Sequence, residues 1–597
     1  MGRGRETLGH PVIQVGLALW ALQLALRAWM VYPSYFFTDD YRLLLDAESS
    51  RFGLAYLLDP FDSQFMPLGR LMAWLVSRSG ELAWGVAATM TLVWTALSGL
   101  ACLLMLATLF GRRWAILAPY AIYLSSVITI PATMWWAAAI NQIPTQVALF
   151  VAITCWVQYL RTSRVGWAAG TFGAVFLGLL SYVKALLIVP VLAFIPLAYF
   201  TTGTFSERVR WLLRNHWRVI APSTAIVAAY SLFYVSTVPQ PFTGTESTKV
   251  TQVADSMLGT SLPTALLGGP WRWWDTTPPI VIAQPPAWLV HAAWAVLALL
   301  IAYSVLRRRN AWTGWLLLTL YSMTAFALLA TSRGQEYGAF AGLDYRYLTD
   351  VAGVVALVTG LVFLPLRRAP LSSRPRWPTA LRVTVPPRAV VVVVGAIVTS
   401  GIVSGVGYVH YWHHENAGAT FVPRMVQGLR AAGDVDLANQ ELPGTVMPPY
   451  TSPMNQTQEF TRLLDADVDF PDVTTRLRMF APDGELVDAI VTSDLASLPG
   501  PRGDCGWLVR TRPVRIPLTG ETFDWSWWVR VGYLSSDDTA LRVSLGDLTR
   551  EVPVTSGLGS VFLRVEGTFD SVVVQSAAEE ATVCIDRIDV GQAAPLS

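Results

Sequence analysis

The chain has 597 residues, of which 53% are hydrophobic and only 14% charged. Soluble domains carry about 25% charged residues, so an ordinary water-soluble globular protein is excluded. The formal net charge is +2 and no basic stretch is interleaved with aromatic residues, so no nucleic acid partner is expected.

The mean hydropathy is +0.44. Apolar runs of about 20 residues, the length that crosses a hydrocarbon core, recur along the chain and set the class as a polytopic α-helical membrane protein. Met1–His10 carries Arg3 and Arg5 ahead of the first run, as a signal peptide would. That run is long and lacks a small-residue cleavage site, so an uncleaved first helix is expected. On the same length criterion about eleven spans are expected. They fall near 12–31, 82–110, 114–131, 135–160, 165–181, 185–201, 218–236, 287–306, 311–331, 348–366 and 389–409. A shorter apolar piece, Leu68–Val76, is expected to lie along the outer interface or to re-enter.

Arginines alternate with these spans. They cluster at Arg3 and Arg5, Arg112 and Arg113, Arg161 and Arg164, Arg208 to Arg218, Arg307 to Arg309, and Arg367 to Arg388. The positive-inside rule puts those loops and the N-terminus in the cytoplasm. It puts the loop after the first span, the loops 237–286 and 332–347, and everything after about residue 410 outside the cell membrane.

After Gly407 the sequence turns polar. Residues 410–499 are mixed and are expected to form an extracytoplasmic α/β connection. From 500 to 597, short alternating runs such as Trp527–Val531, Leu541–Leu545, Val561–Val565 and Ser571–Val574 are bounded by Gly, Pro and Asp. That spacing predicts a C-terminal β-sandwich. The boundaries are therefore 1–409 for the membrane domain, 410–499 for the connection and 500–597 for the sandwich. Cys102 and Cys155 lie in apolar helices. Cys505 and Cys584 lie in the polar region and can form a disulfide if that region is extracytoplasmic.

The residues that carry chemistry stand at the outer ends of the spans. Asp39 and Asp40 follow the first span directly, after Tyr35-Phe36-Phe37, an aromatic belt expected at headgroup level. Two adjacent carboxyls, crowded and partly desolvated, raise the pKa of at least one, as a general base requires. Arg70 opens an apolar helix, where it either snorkels or holds a phosphate. Lys184 is one of only two lysines in the chain and lies between two apolar runs, a compact charge suited to a phosphate. Arg346 and Tyr347 run straight into a late span. Asn141 and Gln142 are hydrogen-bonding groups inside an apolar helix that suit sugar hydroxyls. Trp271, Trp273 and Trp274 offer an aromatic platform for a sugar or an interfacial anchor. No Gly-rich phosphate loop ending in Lys-Ser/Thr is present, which argues against an ATP-driven pump. No His-Glu-x-x-His motif occurs, and His413-His414-Glu415 is a weak metal candidate.

Phe37-Thr38-Asp39-Asp40-Tyr41, Lys184 between neighbouring spans, and Arg346-Tyr347-Leu348 before a late helix together resemble the GT-C superfamily of membrane glycosyltransferases. The β-rich C-terminal part is similar to that of cell-wall arabinofuranosyltransferases, which carry a carbohydrate-binding module there. The resemblance implies an inverting glycosyltransferase that moves a sugar from a polyprenyl-phosphate donor to a glycan or protein acceptor outside the cytoplasm. It implies Asp39 as the base, with Asp40 orienting the acceptor, balancing the proton on Asp39 or helping to bind a metal. It implies Lys184, Arg346 and Arg70 on the donor phosphate, with Asn141, Gln142, Tyr347 and Trp274 toward sugar or acceptor. No cofactor is required, and a divalent cation at Asp39 and Asp40 is the one candidate. The rival readings are a transporter or flippase of lipid-linked glycans, which calls for mid-depth charges and inverted repeats, and a non-catalytic glycan-binding scaffold.

Overall fold

The computed structural model describes residues 9–239, 245–377, 381 and 384–596. Arg3, Arg5 and Arg382 of the arginine pattern lie outside them. The chain forms two compact units, Met1–Ala417 and Gly418–Ser597.

Among the described residues of the first unit and its exit helix, nine helical stretches are long and apolar enough to cross a membrane. The chain is a multi-pass membrane protein. The expected span 114–131 is a bent pair, Trp114–Leu124 and Val127–Met134, broken at 41°. The break falls at Ser125-Ser126, where the Ser125 hydroxyl donates back to the Ala121 carbonyl at 2.9 Å, and Pro131 starts the next turn. Serine pairs and prolines are the usual causes of such kinks. The run 165–181 is a helix of 17 residues, Val165–Ser181. The helix expected at 218–236 starts earlier, at Phe205, because Thr204 and Glu207 form a reciprocal capping box. The short piece near Leu68 is the helix Pro67–Ser77.

The helix Trp136–Thr162 runs through the middle of the first unit. Every residue from Trp136 to Phe150 is buried, as expected of a helix surrounded by protein on all sides. Glycines let its neighbours approach: a Cβ at Gly178 would lie 3.1 Å from Ala148, and one at Gly353 would lie 2.9 Å from Leu149. The first span, Pro11–Val31, packs on Trp84–Phe110, where a Cβ at Gly16 would meet Leu103 at 3.0 Å.

The second unit is rich in sheet. One sheet runs in the order Leu495–Ala496, Val583–Gly591, Trp525–Ser535, Gly557–Gly567, Val473–Thr474, with Trp507–Val509 also on Val583–Gly591. A second runs Val514–Pro517, Ser571–Ser576, Thr539–Leu545, Leu548–Val554. Alternate residues of both sheets, among them Val529, Val531, Leu563, Val543 and Val572, form one apolar core. The larger sheet also takes in Val473–Thr474, which pairs with Phe562 and Leu563, so strands from before residue 500 belong to it. Trp527 is in the shared core, Trp528 in a smaller cluster with Phe562 and Met479, and Trp525 is exposed. Cys505 and Cys584 are bonded across 79 residues of sequence.

Candidate active site around Asp39

The chain leaves the first span at Val31 and enters the helix Asp39–Ser49 through Thr38. Thr38 has φ of 38°. A β-branched residue avoids that region, so the turn is held there by its surroundings. The hold comes from the two aromatics before it. Phe36 sits edge-on to Trp84 at 5.0 Å and Trp136 at 5.7 Å. Phe37 does the same to Trp135 at 5.6 Å and Trp412 at 5.8 Å. Both are buried, so they are core anchors and not a belt facing headgroups.

Asp40 is fully buried. One carboxylate oxygen accepts from the Phe37 N–H at 2.9 Å and the other from the Ala137 N–H at 2.7 Å. Ala137 lies in the first turn of Trp136–Thr162. Its N–H is one of the donors that a helix start leaves unpaired, and the helix dipole favours a carboxylate there. Asp40 thus fastens the first outer loop to the central helix. Burial pushes its carboxyl well above the usual carboxylate range, against the pull of the two backbone donors.

Asp39 faces elsewhere. Its side chain is 25% exposed and takes a 2.9 Å bond from Arg42. Arg42 also forks onto Asp62, at 2.8 and 3.0 Å. Burial raises the Asp39 carboxyl, Arg42 and Arg346 oppose the rise, and Asp62 adds to it. Asp39 and Asp40 therefore spend their carboxylates on different partners. Among the described residues no group of three or more His, Cys, Asp or Glu side chains is placed to hold a metal. His413 turns to the Met30 carbonyl at 2.8 Å and His414 to the His410 carbonyl at 2.9 Å.

Arg346 reaches Asp39 through its charge, which opposes the rise of the Asp39 carboxyl. Its guanidinium stacks 4.2 Å from the Trp135 ring and 4.9 Å from the Tyr347 ring, and it donates to the Tyr347 hydroxyl at 3.1 Å. Asp344 fixes it twice, accepting from the Arg346 backbone at 2.9 Å and pairing with the guanidinium at 3.1 Å. The Arg346 Nε is buried without a partner. Lys184 reaches the same segment from the other side. Its Nζ donates to the Tyr347 carbonyl at 2.8 Å and to Asp350 at 3.0 Å, and the Tyr321 hydroxyl holds the second oxygen of Asp350 at 3.0 Å. Arg346, Tyr347 and Lys184 are thus joined by direct contacts, and the charge of Arg346 acts on the Asp39 carboxyl.

The other candidates stand as follows. Asn141 lies one turn beyond Ala137, donates to Gln64 at 2.7 Å and keeps a buried oxygen without a partner. Gln142 is buried beside it. Arg70 does not join the group: its buried guanidinium is taken by Asp46 and Asp59, and it stacks on Tyr56 at 4.6 Å. It ties the first outer loop together. Trp274 does not join either; it is 45% exposed and lies 5.6 Å from Phe340. Its neighbour Trp273 is the buried one, against Tyr408 at 4.9 Å.

Sequence reasoning missed Arg42, Asp62, Asp344, Asp350 and Trp135. Two of these carried a signal. Arg42 is three residues after Asp39, the helical spacing for an ion pair. Asp350 is an acid at the start of a span, where an ionisable group needs a partner.

No protein-family model matches the chain, and no curated protein matches it in sequence. Among solved structures it is similar to the arabinofuranosyltransferase AftD from mycobacteria, with 11% identity and a TM-score of 0.40 over 98% of this chain and 60% of that one. It is also similar to the arabinosyltransferase EmbB from Mycobacterium smegmatis, with 12% identity and a TM-score of 0.30 over 97% of this chain and 64% of that one. The chain thus spans less than two thirds of the length of either structure.

Proposed function

We propose that this chain is an inverting membrane glycosyltransferase that moves a sugar from a polyprenyl-phosphate donor to a glycan or protein acceptor on the extracytoplasmic side. The reading agrees with the GT-C resemblance of Thr38-Asp39-Asp40, Lys184 and Arg346-Tyr347. The observation that carries it is Asp39, a partly exposed carboxyl raised by burial and acted on by the charge of Arg346, together with a cationic pair, Arg346 and Lys184, bridged by Tyr347.

The chemistry follows from those groups. Asp39, as carboxylate, takes the proton of the acceptor hydroxyl. The acceptor oxygen bonds to the anomeric carbon as the bond from that carbon to the phosphate oxygen breaks. The electron pair leaves with the polyprenyl phosphate, and Arg346 and Lys184 offset its growing charge. Arg346 already has a flat aromatic bed and one unpartnered N–H, which suits a charge-assisted bond to a phosphate oxygen. Asp40 holds the loop and does not react, since backbone donors occupy both its oxygens. Asn141, Gln142 and the Tyr347 ring are left for hydroxyls of sugar or acceptor. The two sheets of the second unit form a sandwich whose exposed Phe523 and Trp525, 6.3 Å apart, suit stacking on glycan rings.

Asp39→Asn removes the base while keeping the shape. It is expected to cut transfer by at least about a hundredfold, the lower end of what a positioned base contributes, with the thermal midpoint in detergent unchanged. Turnover near the wild-type rate in Asp39→Asn excludes this reading.

A further inference from the structure

At the opposite end of the central helix, a cavity of about 1060 Å³ is lined by Arg112, Arg113, Arg161, Arg367 and Arg368. The five come from three separate segments of the chain, so sequence clustering alone does not bring them together. A Cβ at Gly111 would lie 3.4 Å from Arg367 and 3.9 Å from Arg113, which shows how closely two of the segments approach. Arg161 anchors the group. It donates to the carbonyls of Thr108 at 2.7 Å, Leu109 at 3.3 Å and Arg367 at 2.9 Å, and its Nε is buried without a partner.

Among the described residues none of these five arginines has a carboxylate within ion-pairing distance. The two helices that end here, Trp84–Phe110 and Trp136–Thr162, present negative dipole ends of roughly half a charge each, far short of the positive charge gathered. An anion of more than one charge fits that excess. The rest of the wall says which kind. Ile13, Leu100 and Leu104 line the same cavity, and Leu104 is 56% exposed on a membrane helix. Leu104 lies six residues before the end of its helix at Phe110, about 9 Å deeper along the helix axis. A cationic rim over an apolar wall is the shape of a lipid headgroup site.

We propose that this cavity binds an anionic phospholipid whose headgroup carries two phosphates, with an acyl chain along Ile13, Leu100 and Leu104, in the leaflet that meets the arginine-rich loops. The purified full chain in a zwitterionic detergent, titrated with cardiolipin and read by native mass spectrometry, tests this. Cardiolipin is expected to bind about tenfold or more tightly than phosphatidylcholine, and Arg112→Gln/Arg113→Gln to lose about tenfold of that affinity. Both of these arginines are exposed, so the variant keeps the fold; Arg368→Gln, from another segment, serves as the second variant and is expected to lose about half of that effect on a logarithmic scale. Arg542→Gln, in the other unit, is expected to bind as the wild type does. Cardiolipin affinity unchanged in both cavity variants overturns the site. Pyrophosphate alone binding as tightly as cardiolipin overturns the lipid and leaves a soluble anion as the ligand.

Discussion

The helix Trp136–Thr162 joins two charged ends built on opposite plans. At its start, each cation near Asp39 faces a carboxylate: Arg42 with Asp39 and Asp62, Arg346 with Asp344, Lys184 with Asp350. About 40 Å away, at its end, Arg161 and the arginines around it face none among the described residues. Paired charges are positioned charges. Their partners fix them, neutralise them at rest and leave only small, directed excesses for a reacting group. Unpaired charges are a binding energy waiting for an anion. A reaction that creates charge needs the first plan, and retention of a charged ligand needs the second.

The contrast can be broken at the paired end by removing a partner. Lys184→Met leaves Asp350 buried with Tyr321 as its remaining partner, and breaking such a pair costs about 3–5 kcal/mol. The double variant Lys184→Met/Asp350→Leu is expected to recover most of that loss in thermal stability, and a double-mutant cycle measures the coupling. If the donor phosphate uses Lys184, Lys184→Ala also raises the KM for donor lipid more than that for acceptor. Asp40→Ala strands the N–H groups of Phe37 and Ala137 and is expected to cost about 2–4 kcal/mol, read as a lower thermal midpoint with transfer lost alongside. Asp40 differs here from Asp39→Asn, where transfer falls and the midpoint does not.

Acidity offers a third test. The folded Asp40 carboxyl is raised above its ordinary 3.8. Its contribution to stability is therefore full below that ordinary value and is lost as pH rises through the raised one. Asp39 is raised as well, and its base form grows over the same kind of rise. Stability and transfer rate are expected to move in opposite directions as pH increases from the carboxylate range toward neutrality. A rate that falls over that interval while the protein stays folded contradicts the role of Asp39. The smallest effect is expected at Trp274, which touches none of these groups: Trp274→Ala is expected to change the rate by less than about twofold.

The sequence showed which residues were out of place but not what they touch. Asp39, Asp40, Lys184 and Arg346 stood out because a charge beside an apolar run needs a reason. Their counterions lie up to 166 residues away along the chain, as Asp350 does from Lys184, and spacing says nothing about such pairs. The opposite failure occurred at Arg70. Its position at a helix start suggested a surface group, and only the folded loop, which encloses it with Asp46, Asp59 and Tyr56, shows that it is already used. The membrane class followed from composition alone. The exact span pattern did not, because a serine pair bent one span and a capping box lengthened another. In the second unit, alternation located the strands after residue 500. It missed Val473–Thr474, two residues too short to show any period.

The most direct test is a single-turnover assay of the full chain in liposomes with a polyprenyl-phosphate-linked sugar and a glycan acceptor, following released polyprenyl phosphate and the anomeric configuration of the product. The wild type is expected to release polyprenyl phosphate with inversion, and Asp39→Asn to release none above background. Release by Asp39→Asn at the wild-type rate, or a product of retained configuration, contradicts Asp39 as the base.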